Sequence, residues 1–341
     1  MRVPCLSPVL GNYAPTLGAA EPVEVRQLGL SGARLWRLRS PAGEFCLRRW
    51  PDGQLELGRL AFVHFLLRHV AKRQGPPVPL PVRTVAGETF VFHDGTYWQL
   101  EPWLPGRADE APPTTTRVVA AAQTLAQFHR AAVDYPVAED RRGASGALVQ
   151  RRQLWIEARD GGIEAIRRAL VDASRTDLAA QRAAEPAAWY LHDFESRQTR
   201  LGPPLVEAAD RSFPLQPVLR DVTRDHVLFV GDEVTGLVDF GAVAVDHPAV
   251  DVARWSGSFP LDAARRGAAL AAYRSAAQST DDASEFAALV DLFDRSGTWL
   301  AVYRWLRWIY VDRREFDAPE RVVDRIAALV ARLRNAAVDG E

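Results

Sequence analysis

The sequence predicts an α+β protein of two lobes, a small antiparallel β-rich lobe followed by a large, mainly helical one. Three observations predict it. Alternating apolar residues and short Gly, Pro and Asp turns fill residues 23–103. Ala-rich amphipathic stretches dominate beyond Pro113. One strand-like island, 215–245, interrupts those helices and carries Asp221 and Asp239 near the ends of apolar runs. A length of 341 residues suits one two-lobed domain or two domains.

The elements follow in order. Residues 1–22 hold Pro4, Pro8, Pro15 and Pro22 and read as an irregular N-terminal arm. The small lobe, 23–103, opens with alternation at Trp36, Leu38, Phe45 and Leu47 around the turn Pro41-Ala42-Gly43. Leu55 to Lys72 has helical spacing, with Leu57, Leu60, Ala61, His64, Phe65 and Arg68 on one side. After Gln74-Gly75-Pro76-Pro77, strands are expected at 82–85, 89–92 and 97–100, with turns at Ala86-Gly87 and Asp94-Gly95.

The large lobe, 104–341, begins where Pro102-Trp103-Leu104-Pro105-Gly106 changes the pattern. Thr114 to Ala132 reads as a helix with a threonine N-cap. Ser145 to Ala173 reads as helix broken at Gly161-Gly162, and Asp177–Glu185 and Pro204–Arg211 as shorter helices. In Trp299–Tyr310, residues Trp299, Tyr303, Leu306 and Tyr310 share one helical face. Such an aromatic stripe is read as core.

Composition narrows the function classes. Lys plus Arg number 42 against 43 Asp plus Glu, a net charge of -1, so no nucleic-acid partner is expected. Lys72 is the single lysine. Cys5 and Cys46 lack the spacing of a disulfide framework or a zinc site. The N-terminus is a poor signal peptide, and no uncharged run reaches the length of a membrane span. A cytoplasmic protein with no membrane partner is expected.

The island carries the chemistry. Phosphoryl transfer needs a carboxylate to take the proton of the attacking hydroxyl, and oxygen ligands for the metal that bridges the nucleotide phosphates. Asp221 stands five residues before His226, a hairpin follows, and Asp239-Phe240-Gly241 closes it. With His247-Pro248-Ala249-Val250-Asp251, this stretch resembles the aminoglycoside phosphotransferase and choline kinase group of protein-kinase-like enzymes. The thirteen residues from His226 to Asp239 match the group's spacing.

The resemblance implies a protein-kinase-like fold and an ATP-dependent phosphotransferase acting on a small-molecule hydroxyl. By that resemblance Asp221 is the catalytic base, and Asp239 and His226 ligate Mg²⁺ or Mn²⁺. Asp251 braces the catalytic loop. Gly29, Ser31 and Gly32 form a loop over the phosphates of ATP, Arg48 stands where a phosphate-pairing lysine is usual, and Glu101 lies in the hinge that meets adenine. The acceptor is an amino alcohol, a sugar or an antibiotic-like molecule.

Three positions depart from the group's pattern. Leu219-Arg220 precede Asp221 in place of His-Gly, His226 replaces an asparagine, and no Glu lies between Leu57 and Lys72 to pair with Arg48. These departures support an alternative reading. In it the chain is a pseudokinase, a nucleotide-binding or regulatory module with little or no transfer activity.

Overall fold

The computed structural model describes residues 6–27, 33–51, 56–109, 113–137, 140–173, 178–259, 261–278, 282–316 and 318–338. Backbone contacts divide the chain into two compact units. The first comprises Met1–Pro136, Asp221–Val243 and Gly267–Gln278, the second Val137–Arg220, Ala244–Arg266 and Ser279–Glu341.

In the first unit the segment expected to be irregular carries two short helices, α1 (Ser7–Leu10) and α2 (Ala14–Leu17), each with a proline at its first or second position. That position has no N–H to satisfy, so proline starts a helix there without loss. Strands β1 (Glu21–Gln27), β2 (Arg34–Ser40) and β3 (Gly43–Arg49) follow, then α3 (Leu57–Lys72), β4 (Val91–His93) and β5 (Thr96–Pro102). The sheet is antiparallel in the order β1-β2-β3-β5-β4.

Its pleat sends Trp36, Leu38, Phe45, Leu47, Trp98 and Leu100 to one face, where Leu6, Val9, Tyr13 and Leu17 cover them. Trp36 and Trp98 stack there at 5.3 Å. Arg48, Gln99 and Glu101 occupy alternate positions and are also buried.

The strand expected at 82–85 does not form. Pro77, Pro79 and Pro81 leave the approach without N–H donors, and only Val82 N–H reaches the β5 carbonyl of Leu100, at 2.8 Å. Thr84 instead closes a turn onto Glu88. Helix α4 (Thr115–Ala132) is capped by the Thr114 hydroxyl, which accepts from Arg117 N–H.

The second unit opens with β6 (Arg142–Gly143), α5 (Gly146–Glu157), a π turn at Ala158–Gly162 and α6 (Ile163–Ala173), the break falling at the expected glycines. The two short helices expected next are one continuous helix, α7 (Leu178–Asp210), which runs through Pro186, Pro203 and Pro204. Burial of Ala183, Ala187, Tyr190, Leu191, Phe194, Leu201 and Leu205 outweighs the hydrogen bonds those prolines remove.

Strands β7 (Phe213–Pro214) and β8 (Gln216–Val218) lead toward the island. In the first unit, β9 (Val227–Val230) and β10 (Glu233–Leu237) form its hairpin. β11 (Ala244–Asp246) pairs with β8, and α8 (Ala249–Ser256), α9 (Ala263–Ala277), α10 (Ala283–Leu306) and α11 (Pro319–Val338) complete the order. Trp299 of α10 packs among Trp155, Tyr190 and Phe194, so this aromatic face is core. Trp305 and Trp308 are half-buried and meet edge to face at 4.8 Å, with the Arg314 guanidinium over Trp308.

Among the described residues no helix is long and apolar enough to cross a membrane.

Candidate active site

The backbone leading into Asp221 is held from the second unit's own residues. Asp251, fully buried at the start of α8, accepts from Leu219 N–H at 2.6 Å and Arg220 N–H at 2.7 Å. Arg220 has a φ of 64°, a left-handed conformation that costs a non-glycine residue about 1 kcal/mol or more. The two carboxylate bonds, each to a charged acceptor, hold it there. The Arg220 side chain lies 3.4 Å from the buried Asp246 carboxylate.

Within the first unit, Asp221 stands exposed at the start of the loop. Its carbonyl oxygen lies 2.7 Å from His226 Nδ1. A carbonyl can only accept, so Nδ1 carries the proton and donates. The Thr223 N–H, 3.4 Å from the same nitrogen, then faces a protonated atom and forms no useful bond. Nε2 then carries the lone pair and lies 3.7 Å from Asp239 Oδ2. A carboxylate oxygen and an imidazole nitrogen at that distance are placed to share a divalent ion.

Asp239 is itself left-handed, with a φ of 66°, two residues past the end of β10. Val238 N–H donates to the His226 carbonyl at 3.0 Å, which ties the two ends of the hairpin together. Phe240 is buried and lies 5.9 Å from Phe128 of α4, and Arg59 of α3 donates to the Gly241 carbonyl.

The other Asp239 oxygen, Oδ1, accepts from Arg48 at 3.4 Å. Arg48 is buried and has a second counter-ion, Glu101, at 4.0 Å. Burial alone would lower the Arg48 pKa; Glu101 and then Asp239 hold it above its ordinary value. Burial pushes the Glu101 carboxyl up, against the pull of Arg48 and the Gln99 amide.

The hinge expectation put the Glu101 backbone at an adenine edge. Trp50 N–H bonds the Tyr97 carbonyl and Trp103 N–H the Glu44 carbonyl, so by the antiparallel alternation Glu101 is in a bonded pair with Cys46. What Glu101 brings to this site is its side chain. Cys46 is buried beside it, and burial pushes its thiol up, away from reactivity.

The segment after β5 is stapled to the hairpin. Arg107 and Phe229 exchange backbone bonds at 3.0 and 2.9 Å, and the Thr235 hydroxyl donates to the Pro105 carbonyl. Gly106, at a φ of 103°, passes so close that a Cβ would sit 2.7 Å from the Phe229 carbonyl oxygen.

The structure thus brings Arg48, Glu101, His226 and Asp239 together, with Asp221 joined to His226 through its carbonyl. Gly29, Ser31 and Gly32 lie outside the described residues; the strands that flank them pair Gln27 with Arg34. Sequence reasoning passed over Gln99, Trp50 and the partners of His64. Their signal was polar residues at alternate positions of a strand whose other positions, Trp98 and Leu100, are apolar.

A divalent metal fits this donor set in part. Among the described residues no cluster of three or more His, Cys, Asp and Glu could hold an ion by itself. Asp239 with the free Nε2 of His226 gives two ligands, as expected of a metal whose remaining ligands are phosphates and water.

Residues 24–288 match the phosphotransferase enzyme family. A homoserine kinase of Mesorhizobium japonicum is 28% identical over 280 residues, covering 80% of this chain and 77% of that protein. Two solved structures share the fold. A spectinomycin phosphotransferase in complex with ADP and spectinomycin superposes with a TM-score of 0.66 at 9% identity, covering 92% of each chain. An amicoumacin kinase in complex with AMP-PNP, Ca²⁺ and Ami gives 0.60 at 12% identity, covering 95% of this chain and 92% of that one. The architecture is protein-kinase-like, an antiparallel sheet followed by a mainly helical part. The chain belongs to the phosphotransferase enzyme family.

Proposed function

We propose that this chain transfers the terminal phosphoryl group of ATP to the hydroxyl of a small acceptor. The observation that carries the reading is the Arg48–Asp239–His226 arrangement. A cation and a two-sided acceptor set lie within 3.4 and 3.7 Å of the same carboxylate. Those are the parts phosphate oxygens and a divalent ion require, and little else is asked of the protein in this chemistry.

Asp221 takes the proton of the acceptor hydroxyl as that oxygen bonds to phosphorus and the bond to the ADP oxygen breaks. Its exposure leaves room for an acceptor. Arg48 would pair with the phosphates and offset the charge that builds on the leaving group. Its planar fork meets two oxygens where lysine would meet one. Held by Asp239 and His226, a divalent ion would neutralise phosphate charge as a Lewis acid. His226 holds its ligating nitrogen outward through the bond to the Asp221 carbonyl, so one loop presents both base and ligand.

The relatives suggest where to look for the acceptor. The homoserine kinase identity supports a small hydroxy amino acid, and homoserine is the first compound to assay, followed by other amino alcohols and aminoglycosides.

The test is thermal unfolding with ATP, alone and with Mg²⁺ or Mn²⁺, for the wild type and Asp239→Ala. A ligand that binds only the folded chain raises the midpoint. A metal-dependent rise that Asp239→Ala removes is the expected result. No rise with any metal sinks the reading and favours a binding module without transfer.

A further inference from the structure

Protein-kinase-like sites hold their phosphate-pairing cation with a glutamate from the small-lobe helix. Here α3 has none between Leu57 and Lys72, and His64 stands on its buried side. The hydrogen bonds around His64 can be assigned from chemistry alone. Trp50 Nε1 can only donate, so the Gln99 atom 2.9 Å from it is the amide oxygen. The Gln99 amide nitrogen then donates to Glu101 Oε2 at 2.7 Å. His64 Nε2 lies 3.0 Å from the same Gln99 oxygen and must donate to it. Its Nδ1 lies 2.8 Å from the Thr89 hydroxyl, which can donate or accept.

Burial lowers the His64 pKa to about 4, so the ring is neutral and its Nδ1 accepts from Thr89. His64 therefore brings no charge to Arg48. The chain of bonds ends instead at Glu101 on β5, whose Oε1 lies 4.0 Å from the Arg48 guanidinium.

We propose that Glu101 is the positioning carboxylate of Arg48, taking from the sheet the role the helix carboxylate has elsewhere. The inference rests on the phosphotransferase reading above. It assigns Glu101 a second effect. Arg48 has two anionic neighbours, Glu101 and Asp239. By sharing Arg48, Glu101 keeps Asp239 open to a metal ion. With the Glu101 charge removed, Arg48 falls wholly on Asp239 and competes with the metal for it.

The experiment measures the Mn²⁺ concentration that half-saturates the ATP-linked rise in unfolding midpoint, and the same concentration for phosphoryl transfer. Glu101→Gln keeps the shape and the bond to Gln99 but loses the charge. Its metal midpoint should rise roughly tenfold, with much of the kcat recovered at saturating Mn²⁺. Glu101→Asp, which keeps the charge, should return most of that shift. A merely structural role would lower the unliganded midpoint and kcat without moving the metal dependence, and that result overturns the proposal.

Should Glu101→Gln fail to fold, Gln99→Leu is measured in the same way. It leaves the carboxylate charged but untethered, and an unchanged metal midpoint again overturns the proposal. A wild type with no metal-dependent ATP response defeats the phosphotransferase reading, and this inference with it. A responsive wild type with an unmoved Glu101→Gln defeats this inference alone.

Discussion

The two faces of the five-stranded sheet are both buried, yet they are built from opposite materials. One face is Trp36, Leu38, Phe45, Leu47, Trp98 and Leu100 under the N-terminal helices. The other carries Arg48, Gln99 and Glu101 against Trp50 and His64. The apolar face needs only volume and shape, and neighbouring substitutions of similar size are tolerated there. On the polar face every member exists because another satisfies it, so the loss of one leaves the rest uncompensated. The face that costs more to build is the one that ends at Asp239. That is where a function would justify the cost.

The largest expected effect lies in the loop the polar face serves. Asp221→Asn should lower phosphoryl transfer by roughly 10²–10⁴-fold, measured as kcat with homoserine or another accepted hydroxyl. Its unfolding midpoint should stay near that of the wild type, because the side chain is exposed. A variant that keeps full activity breaks the assignment of the base.

Next comes a matched pair, one substitution on each face. Tyr13→Ala empties a fully buried site under the apolar face and should cost about 3–5 kcal/mol in denaturant unfolding. Arg48→Met leaves Glu101 buried without its counter-ion and should cost about 3–5 kcal/mol as well. The faces separate in the second readout. The ATP-linked rise in midpoint should survive Tyr13→Ala and vanish in Arg48→Met.

A smaller effect follows pH. His64 titrates at its ordinary 6.5 when unfolded and at about 4 in the folded chain. Between those values the unfolded state binds the extra proton, so stability is fully present above pH 6.5 and falls as pH drops toward 4. The loss from this one group is about 3 kcal/mol. His64→Gln keeps a neutral donor but cannot titrate. Unfolding curves of the two proteins should diverge below pH 6.5 and run parallel above it; parallel curves throughout would show that His64 is not buried neutral.

The smallest effect tests the proposed metal site. Nitrogen ligands favour Mn²⁺ or Co²⁺ over Mg²⁺. His226→Asn should therefore shift the preference toward Mg²⁺ by about tenfold, or about 1.4 kcal/mol. The ratio of metal concentrations giving half-maximal ATP stabilisation measures it.

Much of this was legible in the linear chain. The hairpin between His226 and Asp239, the break at Gly161-Gly162 and the threonine cap of α4 follow from turn chemistry and capping, which act over a few residues. The spacing of His226 and Asp239 foretold their approach because a short hairpin fixes how far apart its two ends can be. The misreadings share a cause. Helix α7 runs through three prolines because its buried face outweighs them, and the N-terminal segment is ordered because the sheet offers an apolar face to cover. Neither force is local.

The sequence by itself determined the α+β class, the family motif and the residue types available for chemistry, since these depend on period, turn residues and short spacing. Only the tertiary structure decided what those residues do to one another. Glu101 and Arg48 are 53 positions apart, and Arg48 and Asp239 are 191 apart. Which carboxylate balances a buried cation is set by the low dielectric around it and by the few ångströms that separate them, and both exist only once the chain has folded.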